Sequence, residues 1–443
     1  MSDSSHPADK LAIIVGGGPA PGINGVICSV TIEAVNRKLD VFGIRDGFSK
    51  LIGDFNPADP THVRALTIPD VAPYYQRGGS ILGTSRKNPT KDPAHLAKVV
   101  ENLQKLGVKY LVTIGGDDTA FSGSRVYAEG KGAIRVAHVP KTIDNDLPLP
   151  AGVPTFGFES ARHVGVQVAR NLHEDAKTTT RWYLVISMGR AAGHLALGIG
   201  KASAATVTVI AEEFNGKPVT LDLIADIIIG SMIKRKRQGK AYGLAILAEG
   251  LMENIGEKKL RALMEKNPGK FGEIDLDDHG HLRLGNIEFG RMVRTIVAER
   301  LAALGLEFSM IDKDLGYELR CADPIPFDAE YTRNLGYGAV KFLLGPADGQ
   351  SKTWPHPDKD GVVITFVGGK MVPERFEDMI DPATKKMRPR LVDVTGENYE
   401  VARRYMIRLE KSDFEDGPEL EALAAVVTMT AATFRKRFEY VVA

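Results

Sequence analysis

Acidic side chains follow two apolar runs of the sequence, at points where strands are predicted to end. Asp117 and Asp118 come directly after the glycine pair 115–116, and Lys141 and Asp144 follow the next apolar run. The carboxyl ends of neighbouring parallel strands meet at one edge of an open α/β sheet, so these side chains are expected to lie close together. Carboxylates combined with a lysine suit chemistry on phosphorylated ligands.

Each of these side chains has a specific use in phosphoryl transfer. Mg²⁺ is usually held by one or two carboxylates together with substrate phosphates, and Asp117 is the candidate ligand. Asp144 is the candidate general base for an attacking hydroxyl, and Lys141 would neutralise negative charge on phosphate oxygens. A lone aspartate after a strand is more often a helix cap. The convergence of several at neighbouring strand ends favours the catalytic interpretation.

Two glycine-rich loops are candidate phosphate sites. The loop 16–22 lies between a predicted strand, 11–15, and a predicted helix, 23–38, so its backbone N–H groups can face a phosphate near the positive end of the helix. The sequence RGGSILGTSR, 77–86, adds two arginines, whose planar guanidinium groups pair with oxyanions. A tight turn and a solvated connector are the respective alternatives. The first loop matches neither the P-loop motif nor the dinucleotide fingerprint.

Strands and helices alternate along most of the chain, which predicts an α/β fold. We expect two doubly wound Rossmann-like domains, 1–157 (with part of 305–345) and 158–304, and a C-terminal extension, 346–443, that packs on the core. Further strands are predicted at 41–44, 110–114, 181–187, 206–210, 242–247 and 362–367, further helices at 95–106, 117–129, 158–177, 191–202, 221–237, 289–304, 329–344, 399–409 and 419–435, and an irregular segment at 314–326.

The bulk composition narrows the class of protein. The chain has 443 residues and a formal net charge of +1, so no overall field favours nucleic acid or a membrane surface. Two cysteines are too few for a disulfide framework or a cysteine zinc site. No apolar stretch is long enough to span a membrane, and the amino terminus is polar. A cytoplasmic protein that binds neither nucleic acid nor membrane is expected.

Several motifs together resemble the phosphofructokinase family. They are Gly115-Gly116-Asp117-Asp118, the sequence PKTIDND at 140–146, Met188-Gly189-Arg190 and the glycine loop GGGPAPGING at 16–25. They occur in the order typical of that family, and the similarity covers about 11–345. Any one of these motifs alone would be weak evidence for the family, whereas their combination is specific for it.

Two positions resemble the pyrophosphate-dependent branch of this family. Members that use ATP typically have glycine at the positions of Asp118 and Lys141. A carboxylate at Asp118 would repel the α-phosphate of a nucleotide, and Lys141 would supply a cation to a small, highly charged donor that lacks adenosine contacts. The resemblance therefore implies diphosphate as the phosphoryl donor.

The resemblance also implies a role for each matching residue. The first domain would bind the donor phosphates and Mg²⁺, and the second domain would bind the sugar phosphate. Arg181 matches an arginine that family members lend to a neighbouring active site, which implies a homodimer or homotetramer. For the donor and the chemistry, the resemblance implies that Gly17 contacts diphosphate, that Asp117 binds Mg²⁺, and that Asp144 is the base with Thr142 beside it. Three further side chains would assist catalysis: Lys141, Asp118 and Arg190. The sugar-phosphate pocket would be lined by Met188, Gly189, Arg190 and Glu249, and a phosphate clamp would be formed by Tyr317 and Arg320.

The reaction implied is reversible phosphoryl transfer from diphosphate to O1 of fructose 6-phosphate, which gives fructose 1,6-bisphosphate and phosphate. Use of ATP with the same sugar, and a preference for sedoheptulose 7-phosphate, remain open alternatives. A nucleotide or lipid kinase with a G-G-D motif would not need Met188-Gly189-Arg190, and a subunit that only binds sugar phosphates would not need Asp117 and Asp144. The last hundred residues exceed the compact bacterial ATP-dependent enzymes, so their effector site cannot be transferred.

Other polar clusters have simpler interpretations. The basic run 234–237 ends a predicted helix, where cations suit the helix dipole, and it is expected to be solvated. His194 is expected to be a packed or capping histidine. A turn between strands is the preferred interpretation of the acidic and histidine cluster, Asp275, Asp277, Asp278, His279 and His281.

Overall fold

The computed structural model of the protein describes residues 8–276, 282, 284–345, 355–384 and 386–442. The chain forms two compact units. Unit 1 comprises Met1–Ala161 and Tyr317–Arg390, and unit 2 comprises Arg162–Gly316 and Leu391–Ala443. The prediction of an α/β fold with two doubly wound domains is confirmed.

The strands and α-helices of the described residues follow in chain order. The strands are β1 Lys10–Val15, β2 Asp40–Ile44, β3 Val63–Leu66, β4 Val108–Gly115, β5 Arg135–Pro140, β6 Arg181–Ser187, β7 Val207–Val209, β8 Gly243–Ala248, β9 Ser309–Leu315, β10 Val362–Val367 and β11 Lys370–Arg375. The helices are α1 Ile23–Asn36, α2 Ser49–Ile52, α3 Ile68–Val71, α4 Pro93–Leu106, α5 Asp117–Glu129, α6 Phe158–Thr179, α7 His194–Ser203, α8 Leu221–Arg237, α9 Leu251–Ile255, α10 Glu257–Lys266, α11 Phe289–Ala303, α12 Pro326–Leu343, α13 Phe376–Met379, α14 Glu397–Tyr405, α15 Pro418–Val426 and α16 Ala431–Phe438.

Unit 1 is built on a seven-stranded sheet with the order β11-β10-β5-β4-β1-β2-β3. The strands from β10 to β2 are parallel, and β11 and β3 are antiparallel to their neighbours at the two edges. The strands β1 and β4 are almost entirely apolar and buried, as strands covered on both faces by helices must be. The chain goes from β1 to β2 on one side and later to β4 on the other, which makes the junction of β1 and β4 a topological switch point.

Helices pack on the unit 1 sheet through their apolar sides. The helix α12 packs against α1 and against β5 and β10, and α4 and α5 pack against each other and against β4. Asp92 caps α4 by accepting a hydrogen bond from the backbone N–H of Ala94, and Gly107 ends that helix in a left-handed conformation with φ 80°.

Unit 2 contains a four-stranded parallel sheet with the order β7-β8-β6-β9. The helix α8 is buried over most of its length and packs against α11 and α15. Thr220 accepts a hydrogen bond from the N–H of Leu223 and so caps α8. None of the helices in the described part of the chain has the length and apolar character needed to cross a membrane.

Two predicted segments differ from the structure for identifiable reasons. The strand β9 begins within a stretch that has no strand pattern, and the sequence prediction treated 314–326 as irregular. This strand lies at a sheet edge and carries Asp312, Lys313 and Asp314, so it lacks the apolar pattern of the inner strands. The predicted helix 419–435 is divided into α15 and α16, because Thr428 adopts a left-handed conformation with φ 55°.

The division into units also differs from the predicted domain boundaries at 157, 304 and 345. The last hundred residues do not form one extension. The hairpin of β10 and β11 extends the sheet of unit 1, and residues from 391 onward contribute Phe414, Phe434 and Phe438 to the core of unit 2. Both segments bury apolar side chains in the cores of the two units, so neither segment forms a separate domain.

Candidate active site

The glycine loop after β1 is held at the switch point by main-chain hydrogen bonds. The N–H of Gly16 donates to the carbonyl of Ile114 at the end of β4, 2.9 Å away, and the N–H of Gly17 donates to the carbonyl of Ser85 at 2.9 Å. The hydroxyl of Thr84 donates to the carbonyl of Gly17 at 2.7 Å. Gly17 has φ 79°, a conformation that favours glycine. The two predicted phosphate loops therefore meet in unit 1.

Close packing around Thr119 requires glycine at two strand ends. A Cβ built on Gly16 would lie 2.4 Å from the Thr119 hydroxyl, and one built on Gly115 would lie 2.3 Å from the Thr119 Cβ. Thr119 is buried in the first turn of α5, directly after the two aspartates. This packing fixes where α5 begins relative to β1 and β4.

Asp117 and Asp118 occupy the first turn of α5 and are exposed. Backbone N–H groups at a helix start carry partial positive charge, which favours the ionised carboxylates there. The side-chain amide of Asn88 lies 3.5 Å from Oδ1 of Asp118. The structure thus presents both carboxylates at the carboxyl edge of the sheet, beside the glycine loop.

Lys141 follows β5 and is buried, with 4% of its surface exposed. Its ammonium group donates a hydrogen bond to the carbonyl of Gly18, and a Cβ at Gly17 would lie 3.3 Å from it. Burial, followed by the charge of Arg320, lowers the pKa of Lys141 to about 8, while nearby aspartates including Asp144 oppose that shift. The ammonium group of Lys141 therefore lies next to the glycine loop.

The loop after Lys141 carries the proposed base. The N–H of Asp144 donates to the hydroxyl of Thr142 at 3.0 Å. Burial, and then the negative charge of Asp117, raise the pKa of Asp146, while Thr142 and Lys141 act in the opposite direction. The carboxylates that follow β4 and β5 are therefore close enough to interact electrostatically.

A second cation, Arg320, reaches the glycine loop from the position directly after the short 3₁₀ turn Tyr317–Leu319. The Arg320 guanidinium packs so close to Gly18 that a side chain at that glycine would overlap it. Its centre lies 5.3 Å from the ring centroid of Tyr317, which is 74% exposed. Burial, and then the charge of Arg86, lower the pKa of Arg320. Arg86 was singled out only as part of a glycine-rich loop, and the structure brings its charge to this cluster.

Unit 2 presents a second set of predicted residues after β6. The N–H of Met188 donates to the carbonyl of Leu315 at 3.0 Å, and the Met188 side chain packs against Gly316. Gly189 has φ 128°. A Cβ built on Gly250 would lie only 2.6 Å from the carbonyl oxygen of Arg190. The loop 188–190 is therefore shaped by contacts that small residues alone permit.

Glu249 lies beside that loop. Its N–H donates to the carbonyl of Ser187 at 2.9 Å, which places it next to the end of β6. Burial raises the pKa of Glu249, whereas the charge of Arg190 lowers it. Arg190 is exposed, and its Nε lies 3.3 Å from a carboxylate oxygen of Glu253.

Arg181 stands apart from the other unit 2 candidates. It is the first residue of β6, whereas Met188 follows the last. At about 3.3 Å per residue, the two ends of this strand are about 20 Å apart. Within unit 2 the structure therefore does not bring Arg181 together with the loop 188–190 or with Glu249.

Sequence reasoning missed a carboxylate that holds the chain segment after Arg190. Glu212 lies in the 3₁₀ turn Ala211–Phe214, and its Oε1 accepts hydrogen bonds from the N–H of Gly193 at 2.8 Å and of Val392 at 3.1 Å. The neighbouring Glu213 accepts from Arg408 at 2.6 Å instead. Nothing local in the sequence marks Glu212, because its partners are 19 and 180 positions away.

The donor set of unit 1 fits Mg²⁺. Across the ranges that the structure describes, no group of three or more His, Cys, Asp or Glu side chains could hold a metal by itself. Asp117 offers carboxylate oxygen at an exposed position, close enough to Lys141 for the two charges to interact. An oxygen ligand of this kind suits a Mg²⁺ ion that takes most of its coordination from substrate phosphates and water.

Only some members of the remaining polar clusters lie within the described residues. Asp275 accepts a hydrogen bond from Asn286 at 2.6 Å, whereas Asp277, Asp278, His279 and His281 lie outside the described residues. His194 is the partly buried first residue of α7. The expectation of a solvated basic run at 234–237 is wrong for two of its members, because α8 packs against the C-terminal part of unit 2. Lys234 pairs with Asp413 at 2.7 Å, and the buried Arg235 donates to the carbonyl of Tyr242.

A glycine loop, clustered cations and carboxylates at a topological switch point define a site for phosphorylated ligands. The phosphofructokinase family model matches residues 10–343. The chain belongs to the phosphofructokinase family, which confirms the resemblance seen in its motifs.

Individual relatives show the same similarity over nearly the whole chain. Pyrophosphate–fructose 6-phosphate 1-phosphotransferase of Thermotoga maritima is 49% identical over 431 residues, covering 97% of this chain and 98% of that protein. The protein of the same name from Naegleria fowleri is 48% identical, covering 98% of this chain and 95% of that protein. The crystal structure of pyrophosphate-dependent phosphofructokinase from Nitrosospira multiformis has a TM-score of 0.63 at 16% identity, covering 90% and 91% of the two chains, and so shares the fold.

Proposed function

We propose that the protein is a diphosphate-dependent 6-phosphofructokinase. It transfers a phosphoryl group reversibly from diphosphate to O1 of fructose 6-phosphate, and the products are fructose 1,6-bisphosphate and phosphate. The relatives from Thermotoga maritima and Naegleria fowleri, at 49% and 48% identity over nearly the full length, carry the name of this activity. Retention of the proposed metal ligand and base favours an enzyme over a subunit that only binds sugar phosphates.

The observation that carries the choice of donor is the position of Lys141. Its buried ammonium group is fixed to the carbonyl of Gly18 in the glycine loop, and Asp118 lies exposed at the start of α5 in the same unit. A fixed cation suits the concentrated negative charge of diphosphate, and the carboxylate would repel the α-phosphate of a nucleotide. Together they favour diphosphate over ATP.

The residues of unit 1 divide the chemistry of transfer among them. Asp144 takes the proton from the sugar 1-hydroxyl as its oxygen attacks the phosphorus, and Thr142 fixes the loop that carries this base. Lys141 stabilises charge on the phosphoryl oxygens, and the N–H groups near Gly17 contact the donor. Asp117 would hold Mg²⁺, which supplies charge neutralisation on the donor oxygens when bound.

The clamp at the start of the C-terminal half of unit 1 acts on phosphate. Arg320 adds positive charge beside Gly18, and Arg86 contributes a further cation whose field reaches Arg320. Tyr317 is exposed beside Arg320 and offers a phenol hydroxyl to the sugar phosphate. These groups provide fixed hydrogen-bond donors to the leaving phosphate and to the phosphate of the sugar.

The residues of unit 2 bind the sugar phosphate in this proposal. Met188 and Gly189 line the pocket, Arg190 pairs with an oxyanion, and Glu249 accepts hydrogen bonds from sugar hydroxyls. Arg181, remote from that loop within unit 2, serves the active site of a neighbouring copy, so the enzyme is a homodimer or homotetramer. We place the enzyme in the cytoplasm, a compartment consistent with cysteines that form no disulfide in the structure.

A donor and acceptor panel tests this function. Purified protein with Mg²⁺ is assayed with diphosphate or ATP, and with fructose 6-phosphate or sedoheptulose 7-phosphate. The expected result is the highest kcat/KM for diphosphate with fructose 6-phosphate. Brisk turnover of ATP with no use of diphosphate would overturn the proposal, and a higher kcat/KM for the seven-carbon ketose would change the assigned acceptor.

Two substitutions test the donor assignment directly. Asp118→Gly, alone or with Lys141→Gly, is expected to lower kcat/KM for diphosphate and to raise the relative use of ATP. Lys38→Gly is a matched control, because Lys38 is exposed and has φ 65°, which glycine adopts readily. Unchanged diphosphate activity in both site variants would contradict the roles of Asp118 and Lys141.

A further inference from the structure

Arg390 lies beyond the region matched by the family model, which ends at residue 343, yet it belongs to unit 1. Its backbone N–H donates to the carbonyl of Asp146 at 2.6 Å. Its Nε donates to the carbonyl of Asn145 at 3.1 Å, and Nη2 donates to the Asn145 side-chain oxygen. Its Nη1 donates to the carbonyl of Val153 at 2.7 Å. One arginine therefore connects two sides of the loop that follows β5, at 145–146 and at Val153.

This loop carries the proposed base, Asp144, directly before Asn145. Asn145 adopts a left-handed conformation with φ 56°, which L residues seldom hold without support. The support comes from two sides, because its side-chain oxygen also accepts from the N–H of Thr155 at 3.0 Å. Thr155 in turn donates from its hydroxyl to the carbonyl of Thr142 at 2.7 Å. The backbone on both sides of Asp144 is thus fixed, with Arg390 on one side.

The chemistry of the guanidinium group explains why an arginine occupies this position. Its planar fork of N–H donors can reach the acceptors on Asn145 and Val153 at the same time, whereas a lysine ammonium is a single point of contact. Burial lowers the pKa of Arg390 and the charge of Asp146 opposes that shift. A guanidinium group keeps its charge in proteins, so the arginine remains a cation. The residue is also held by its own backbone, which leaves the side chain little freedom.

We propose that Arg390 is a positioning residue for Asp144, supplied by the part of the chain that follows the family core. The proposal rests on the function given above, in which Asp144 removes the proton from the sugar hydroxyl. A general base must lie within hydrogen-bonding reach of that proton, and small misplacements lower the rate of the chemical step. The hydrogen bonds of Arg390 named above go to the loop that carries Asp144, so its replacement is expected to affect kcat more than KM for diphosphate.

The test uses Arg390→Met and Arg390→Lys in the full-length protein, with kcat and both KM values measured at saturating Mg²⁺. We expect kcat to fall by about 10- to 100-fold in Arg390→Met and by less in Arg390→Lys, while KM for diphosphate stays within about twofold. The matched control is Arg388→Met. Arg388 also donates to a main-chain carbonyl, but this carbonyl belongs to Asp378 and not to the loop that carries Asp144.

A purely structural role would lower the fraction of folded protein and leave kcat per folded molecule unchanged. A kcat for Arg390→Met within twofold of the wild type, after correction for folded protein, would overturn the proposal. If Arg390→Met does not fold, Arg390→Lys and Asn145→Gly decide, since glycine retains the left-handed backbone and removes the side-chain acceptor. Wild-type kcat in both of these variants would equally overturn it.

The same assays separate this proposal from the proposed function. A wild-type protein without diphosphate-dependent turnover would refute the function and remove the basis for a role in positioning Asp144. An active wild type with fully active Arg390 variants would refute only the positioning role. An increase in KM for diphosphate without a change in kcat would also contradict the proposal, because it would place Arg390 in donor binding.

Discussion

The imidazole of His138 donates from Nε2 to the carbonyl oxygen of Gly115, 3.0 Å away. That oxygen can only accept, so Nδ1 is the acceptor for the hydroxyl of Thr113 at 2.9 Å. The N–H of Lys141 donates to the same carbonyl at 2.8 Å. A buried neutral histidine therefore joins β4 and β5 directly beneath the turn that presents the Asp117 carboxylate.

Acid should destabilise the protein through His138. Burial lowers the pKa of this histidine from 6.5 to about 3. Between those values the unfolded chain binds a proton that the folded protein does not, so the free energy of unfolding falls as pH drops below 6.5, by about 1.4 kcal/mol per pH unit from this group. Denaturant unfolding of the wild type and of His138→Gln between pH 4 and pH 8 measures the difference. Parallel pH profiles would contradict the prediction.

The use of diphosphate should weaken at alkaline pH because Lys141 loses its charge. Its pKa in the free protein is lowered to about 8, so the ammonium group is intact below that pH and neutral above it. We expect kcat/KM for diphosphate to decline above pH 8, approaching about tenfold per pH unit. Lys141→Met should have a low kcat/KM without this alkaline limb. A wild-type profile that stays flat to pH 9.5 would refute the assignment of Lys141.

Removal of the proposed base should separate catalysis from binding. Asp144→Ala is expected to lower kcat by about 10²- to 10⁴-fold, the usual contribution of a positioned general base. Calorimetric binding of fructose 6-phosphate should change little, since the proposed sugar-phosphate contacts of unit 2 are intact. Near wild-type turnover by Asp144→Ala would require another base.

Glu212 should affect the sugar phosphate and not the donor. Glu212→Ala removes the acceptor for the N–H of Gly193, which closes the loop after Arg190. We expect KM for fructose 6-phosphate to rise by roughly tenfold, equivalent to about 1.4 kcal/mol, with KM for diphosphate unchanged. Glu213→Ala is the matched control, because that neighbouring carboxylate bonds to Arg408 and Tyr399 instead. Equal effects of the two variants would contradict the prediction.

The stability of unit 2 should depend on Asp226, which is fully buried. Its carboxylate accepts from Arg300 at 2.7 Å and from Arg437 and the hydroxyl of Tyr440 near the C terminus. Removing one partner of a buried ion pair typically costs about 3–5 kcal/mol, since the remaining charges lose their compensation. Asp226→Asn should lower the midpoint of denaturant unfolding markedly, whereas Asp222→Asn, at an exposed partner of Arg300, should have little effect. A similar shift for both would refute this account.

The sequence predicted features that depend on neighbouring residues. Strand ends, glycine turns and the first turn of α5 follow from local patterns, and they located Asp117, Lys141 and Asp144 at one sheet edge. The apolar pattern likewise gave the bounds of α8 and β6 as observed. Local chemistry was therefore sufficient to bring together the central residues of the candidate site in unit 1.

Contacts between distant parts of the chain were beyond that reasoning. Arg390 is 245 positions from Asn145, and the side chain of Thr119 determines the need for glycine at position 16 through packing alone. The edge strand β9 was missed because only Leu315 of its residues is buried and three of its side chains are charged. Such features become visible only when the tertiary arrangement is known.

The chain crosses from one compact unit to the other after residues 161, 316 and 390. A fragment that ended at 316 would lack α12, whose Leu335 and Ala339 are part of the unit 1 core. One that ended at 390 would lack Phe434 and Phe438 from the other core. A single genetic crossover between two relatives at any of these three positions would therefore combine segments of different parents within at least one hydrophobic core.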